Sequence, residues 1–126
     1  MNLKKINRAL ISVSDKSELT KILKVLKKFK VEILSSGGTY KKINRLGYKS
    51  IEISDFTNSP EILDGRVKTL HPKLYGGILF KRNNKKHQKQ IKKINIKKID
   101  LVIVNFYAFE EAVKTGNDKK IIENID

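Results

Sequence analysis

Arg8-Ala-Leu-Ile-Ser-Val13, running straight into Ser14-Asp-Lys-Ser-Glu18, is a short apolar run that breaks into a polar loop and then a helix start. An apolar segment of this length, bounded by polar residues and rich in Leu, Ile and Val, reads as a buried strand. Ser14 offers a hydroxyl to cap the following helix, and Asp15 and Glu18 suit the positive end of its dipole. Leu19, Ile22, Leu23, Leu26 and Phe29 then recur at three- and four-residue spacing. That period predicts one apolar helix face laid on a sheet, with lysines on the solvated side.

Working outward, the alternation repeats. Val31-Glu-Ile-Leu34 is a second strand, and Ser35-Ser-Gly-Gly-Thr39 turns it into a second helix ending near Gly47. Tyr48 to Ile53 reads as a third strand. An irregular stretch from Ser54 to Pro72 follows, holding both prolines and the Asp64-Gly65 turn; long irregular segments in small domains are commonly functional. Lys81 to Lys98 is a lysine-rich helix-and-loop region. Ile99-Asp-Leu-Val-Ile-Val104 has the composition of a central strand, and short helical pieces are expected over Glu110–Lys114 and Asp118–Asn124. The fold class is therefore α/β, a mostly parallel central sheet with helices on both faces. No internal repeat or interdomain linker breaks the chain, so residues 1–126 read as one domain.

Composition bounds the function classes. Cysteine is absent, and two histidines, His71 and His87, cannot build a multi-histidine metal cluster, so no metal site is expected. No apolar run reaches the ~20 residues of a membrane helix and no signal-peptide core opens the chain, so a cytoplasmic protein without a membrane partner is expected. The formal charge of +15 invites a nucleic-acid reading, but 24 of the 28 basic residues are lysine and only 4 are arginine. Arginine is what bidentate phosphate and guanine recognition favours. Lys, Ile and Asn share A/T-rich codons, so genome bias accounts for the excess; nucleic acid is expected to bind only non-specifically, through surplus lysine.

In open parallel sheets, ligands sit at the carboxyl ends of strands, where loops lead into helix N-termini. Ser12–Lys16, Ser35–Thr39 and the segment from Asn105 all fall there. Gly37 and Gly38 admit a phosphate close to free helix-start amides, with Ser36 and Thr39 hydroxyls and the Lys16 charge beside them. Arg66, Lys68 and Thr69 present a fork, a point charge and a hydroxyl to one anion. His71, before Pro72, reads equally as a proton-transfer group or a structural histidine.

Val13-Ser-Asp-Lys16, Ser36-Gly-Gly-Thr39, Pro60-Glu61, Gly65-Arg-Val-Lys-Thr-Leu-His-Pro-Lys73, Gly76-Gly-Ile-Leu79, Val104-Asn-Phe-Tyr107 and Glu123-Asn-Ile-Asp126 together resemble one family, from Arg8 to Asp126. It is the N-terminal inosinate (IMP) cyclohydrolase part of the bifunctional purine biosynthesis protein. The resemblance implies a methylglyoxal-synthase-like fold. It also implies closure of 5-formamidoimidazole-4-carboxamide ribonucleotide (FAICAR) to inosine monophosphate and water, with no cofactor and no metal. By the same resemblance Lys68, Tyr107 and Asp126 serve the cyclisation. Ser14, Lys16, Ser36, Gly37, Gly38, Thr39, Arg66 and Thr69 hold the nucleotide, chiefly its phosphate, with His71 and Asn105 as further candidates. A homodimer is the implied assembly.

The chain departs from the family pattern at Ala108, where proline is usual after the tyrosine, at Tyr75, where histidine is usual, and at Thr57-Asn-Ser-Pro60 in place of Thr-Gly-Phe-Pro. The family also continues beyond its Glu-Asn-Ile-Asp motif into a Gly-Gly segment, a lysine-bearing stretch and a transformylase domain that uses 10-formyltetrahydrofolate. Residues 1–126 are thus expected to be a C-terminally incomplete domain with weak or no cyclohydrolase activity. The competing expectations are an inactive truncated gene product, another methylglyoxal-synthase-like phosphate-binding domain, and a basic nucleic-acid-binding protein.

Overall fold

The computed structural model describes residues 3–106 and 109–123. Four strands, β1 (Arg8–Ser12), β2 (Glu32–Ser35), β3 (Ile51–Glu52) and β4 (Leu101–Val104), form one sheet in the order β3-β2-β1-β4, with every pairing parallel. Between them lie α1 (Leu19–Lys28), α2 (Gly37–Arg45), α3 (Ile53–Thr57), α4 (Pro72–Leu79) and α5 (Lys85–Lys93). After β4 come α6 (Phe109–Lys114) and α7 (Asp118–Glu123).

Strand alternation splits the core into two layers. Ala9, Ile11 and Ile33 point to one face, where Leu19, Leu23 and Leu26 of α1 and Ile43 of α2 cover them. Leu10 and Leu34 point to the other, against Ile53 of α3, Leu74 of α4 and Ile99. β1 is covered on both sides, which is why its sequence is an unbroken apolar run rather than an alternation. Each fully buried Leu or Ile contributes about 1.5–3 kcal/mol of transfer free energy. The helices-on-both-faces architecture is thus the one the sequence predicts.

Several local expectations are corrected. The first helix starts at Leu19, not at Ser14; its N-cap is Glu18, and Asp15 instead accepts from the Ser17 amide at 2.9 Å in a local turn. Phe29 falls at the helix C-cap and is 62% exposed, so it drops out of the apolar face. The third strand shrinks to Ile51–Glu52 because β2 offers only Leu34 and Ser35 as partners there, and Ile53 already begins α3. The irregular stretch is accordingly shorter, since Ile53–Thr57 is helical and Pro72 opens α4. β4 is an edge strand among the described residues: it pairs with β1 alone, and Val104 is 61% exposed.

Candidate functional site

The chain leaves β1 for β2 on one side and returns to β4 on the other, so the strand order reverses between β1 and β4. Crevices at such reversals, beyond the strand C-termini, are where open parallel sheets bind ligands. Here the loop after β1 meets the loop after β4 through one side chain. The Asn105 Oδ1 accepts from the Ser14 amide at 2.6 Å and the Asp15 amide at 3.3 Å, while its Nδ2 donates to the Asp15 carbonyl at 2.9 Å. A cavity of ≈ 220 Å³ opens beside this clasp, lined in part by Val13, Asp15, Ile103 and Asn105. Asp15 itself stays anionic: the Ser17 amide and hydroxyl, helped by Lys16, hold its carboxyl below the ordinary 3.8.

The second loop is locked to the first by Thr39. Its buried hydroxyl accepts from the Val13 amide at 3.2 Å and donates to the Val13 carbonyl at 3.1 Å. That fixes the start of α2, where Ser36 is extended and makes no side-chain cap, and Gly37 takes a left-handed φ of 55°. The first-turn amides of α2 therefore lie behind two residues with no side chain, the arrangement that accepts an anion.

Two ammonium groups flank this turn. Lys16 Nζ donates to the carbonyls of Val13 and Ser14 at 2.8 and 3.1 Å, and lies 3.8 Å from where a Cβ on Gly38 would stand. Lys68 Nζ lies 3.6 Å from the corresponding point on Gly37 and 3.5 Å from that on Gly65. Lys68 is half-buried and has no hydrogen bond or ion pair among the described residues. A half-buried cation without a partner among the described residues is costly, and a negative ligand beside Gly37 would offset that cost.

Lys68 reaches that place because of the turn before it. Ile62 and Val67 exchange amide–carbonyl bonds of 3.0 and 3.3 Å, closing a hairpin whose tip, Leu63-Asp64-Gly65, is left-handed at φ 55°, 54° and 81°. Left-handed geometry at Leu63 is costly for a side-chain-bearing residue, and strain of this kind persists only where surrounding contacts enforce it. The Glu61 carboxylate closes over Gly65, filling the space a side chain there would need.

The structure thus brings Ser14, Lys16, Ser36, Gly37, Gly38, Thr39, Lys68 and Asn105 to one sheet edge. Arg66, at the tip of the same hairpin, is exposed and makes no contact with a charged partner among the described residues. Thr69 is half-buried beside it in sequence, and its carbonyl accepts from the His71 amide at 2.8 Å. His71 is the N-cap of α4, with Nδ1 accepting from the Lys73 amide at 3.1 Å. Tyr107 and Asp126 lie outside the described residues. Glu61 was not among the expected site residues; its signal was its place in the Pro60-Glu61 pair just before the hairpin. Among the described residues no group of three His, Asp or Glu side chains converges on a point, and no helix is long and apolar enough to cross a membrane.

Comparison with known proteins bears on the family and the fold. The family described as MGS-like domain matches residues 18–126. The bifunctional purine biosynthesis protein PurH of Ruminiclostridium cellulolyticum is 50% identical over 123 residues, covering 96% of this chain and 24% of that protein. PurH of Elusimicrobium minutum is 49% identical over 126 residues, covering 98% of this chain and again 24% of the relative. The chain therefore spans about a quarter of the length of these relatives, and matches their N-terminal region. Among solved structures, the crystal structure of ForH superposes with a TM-score of 0.74 at 32% identity, over 80% of this chain and 51% of that one.

Proposed function

The chain belongs to the MGS-like domain family, and from that premise we propose that its glycine turn holds the phosphate of a purine-precursor ribonucleotide for cyclohydrolase chemistry. The reading rests on one observation above all: the half-buried, unpartnered Lys68 ammonium within reach of both Gly37 and Gly65. The likeness to the N-terminal region of PurH proteins supplies the substrate class.

In this proposal the α2 amides, Ser36, Lys16 and Arg66 take the phosphate, while Asn105 and Thr39 hold the loops that carry them. Lys68 faces the formyl oxygen of FAICAR. The carboxamide nitrogen attacks the formyl carbon, forming the C–N bond that closes the ring, and its displaced proton ends on the formyl oxygen. The resulting hydroxyl leaves as water with the proton of the former formamido nitrogen, giving inosine monophosphate. The condensation is redox-neutral and calls for no cofactor. An ammonium beside the developing oxyanion stabilises charge that exists only during the reaction, which is where binding energy accelerates it. By family resemblance Tyr107 is the second donor to that oxygen and Asp126 orients the carboxamide.

Calorimetry with inosine monophosphate and with inosine separates the two halves of the proposal. Charge-assisted contacts of about 1.5–3 kcal/mol imply at least about tenfold tighter binding of the phosphorylated ligand. Lys68→Ala should lose most of FAICAR turnover. Equal affinity for nucleoside and nucleotide would sink the phosphate cradle. Tight nucleotide binding with FAICAR turnover that Lys68→Ala leaves unchanged would leave the cradle and remove the catalytic role of Lys68.

A further inference from the structure

Lys73 to Lys98 carries nine lysines and Arg82 but no Asp or Glu, so all thirteen acids of the chain lie in the other hundred residues. Codon bias raises lysine everywhere; it does not clear acids from one stretch. That stretch folds as a unit: α4, the turn through Phe80 to Asn84, α5, and the return past Ile96 toward β4.

Between α4 and α5 the unit leaves a cleft of ≈ 600 Å³ lined by Leu79, Phe80, His87, Ile91, Ile94 and Ile96, with Lys93 and Gln90 at its border. Its base is packed, since a Cβ on Gly76 would collide with Ile96 at 2.6 Å. Its walls are not: Leu79 is 71% exposed and Ile94 57%. Around it Lys81, Lys85, Lys86, Lys89, Lys92, Lys93, Lys97 and Lys98 are all exposed, and none is in an ion pair among the described residues. Arg82 is turned inward onto four backbone carbonyls and adds no surface fork.

We propose that this cleft docks an acidic amphipathic helix of a partner protein, its apolar side chains in the cleft and its carboxylates on the lysine rim. The charge decides the partner's sign, and its extent, from Lys81 along the whole of α5 to Lys98, exceeds a small ligand. A second copy of this chain is disfavoured, because a two-fold contact would set one lysine rim against its twin. Nucleic acid is disfavoured because the one arginine of the unit is internal, leaving no guanidinium fork on the surface, and Tyr75 alone among its Phe and Tyr side chains is exposed. A bilayer takes convex apolar surface, whereas a cleft between helices takes side chains spaced i, i+3, i+4 and i+7.

The test uses the full 126-residue chain and two synthetic peptides of about fifteen residues, with identical Leu and Glu content. One has its leucines at i, i+3, i+4 and i+7; in the other they are dispersed. By NMR titration at about 0.15 M salt, the amphipathic peptide should shift the amides of Leu79, His87 and Ile94, and bind at least about tenfold tighter than the dispersed one. Leu79→Asp should lose that preference. Should that variant unfold, the charge reversal Lys89→Glu with Lys93→Glu carries the same expectation. Equal binding of the two peptides would show a polyanion effect only and overturn the proposal. So would tighter binding of single-stranded RNA or of phosphatidylserine vesicles, or self-association of the free chain through Leu79 and Ile94.

Discussion

A single hydroxyl ties the first loop to the second helix. Thr39 both accepts from and donates to the backbone of Val13 inside the protein; its loss would orphan the Val13 amide, whereas the carbonyl keeps the Lys16 ammonium. Thr39→Val keeps shape and removes the oxygen; leaving the buried Val13 amide unpaired should cost about 1–3 kcal/mol in urea unfolding. Thr39→Ser should recover most of it, and a valine variant as stable as the native chain would show that water replaces the hydroxyl. The sequence offers Thr39, beside the glycines, to the ligand. Spacing along the chain does not show its bonds to Val13, 26 residues earlier. Lys68 stands out in the sequence through the motif around it, and the structure shows it half-buried with no hydrogen bond or ion pair among the described residues.

Among the elements, α4 depends on a residue outside itself. The last carbonyls of a helix have no internal partners, and here Arg82 supplies them. Its guanidinium donates to Gly77, Ile78 and Phe80 at 3.0–3.2 Å and to Ile99 at 2.5 Å, while its carbon stacks 3.9 Å from the Phe80 ring. It thereby joins the end of α4 to the segment leading into β4. Arg82→Ala should destabilise by about 2–4 kcal/mol in denaturant unfolding, and Arg82→Lys should restore less than half, because one ammonium cannot span four carbonyls. A loss below about 0.5 kcal/mol would mean the carbonyls are satisfied by solvent. Composition marks Arg82 only as one of four arginines. Element types were legible from periodicity, but β3 and β4 were misplaced for a physical reason. Strand length and rank within a sheet depend on which partners are in reach: β2 offers β3 two residues, and β4 has β1 alone.

At the scale of the whole molecule, the charge of +15 is opposed by only two ion pairs among the described residues, Arg8 with Glu32 and Lys21 with Glu18. Like charges crowded on a small surface repel more in the folded state than in the expanded one, and salt relieves this. Raising sodium chloride from about 0.02 to 0.2 M should therefore raise Tm by roughly 3–8 °C, the shift that about 1 kcal/mol produces in a domain of this size. A falling Tm would mean that attractive pairs outweigh the repulsion. The same titration separates diffuse charge from the cradle. At matched ionic strength, about 10 mM sulfate is too dilute to act by exclusion from the surface. Any rise beyond the chloride curve must come from binding to the folded state. That excess should vanish in Lys16→Ala and persist in Lys89→Ala, though both remove one positive charge. The distinction rests on placement: Lys16 is half-buried beside Gly38, whereas Lys89 stands on the solvated face of α5. An equal loss in the two variants would reduce Lys16 to one more charge in a diffuse positive field.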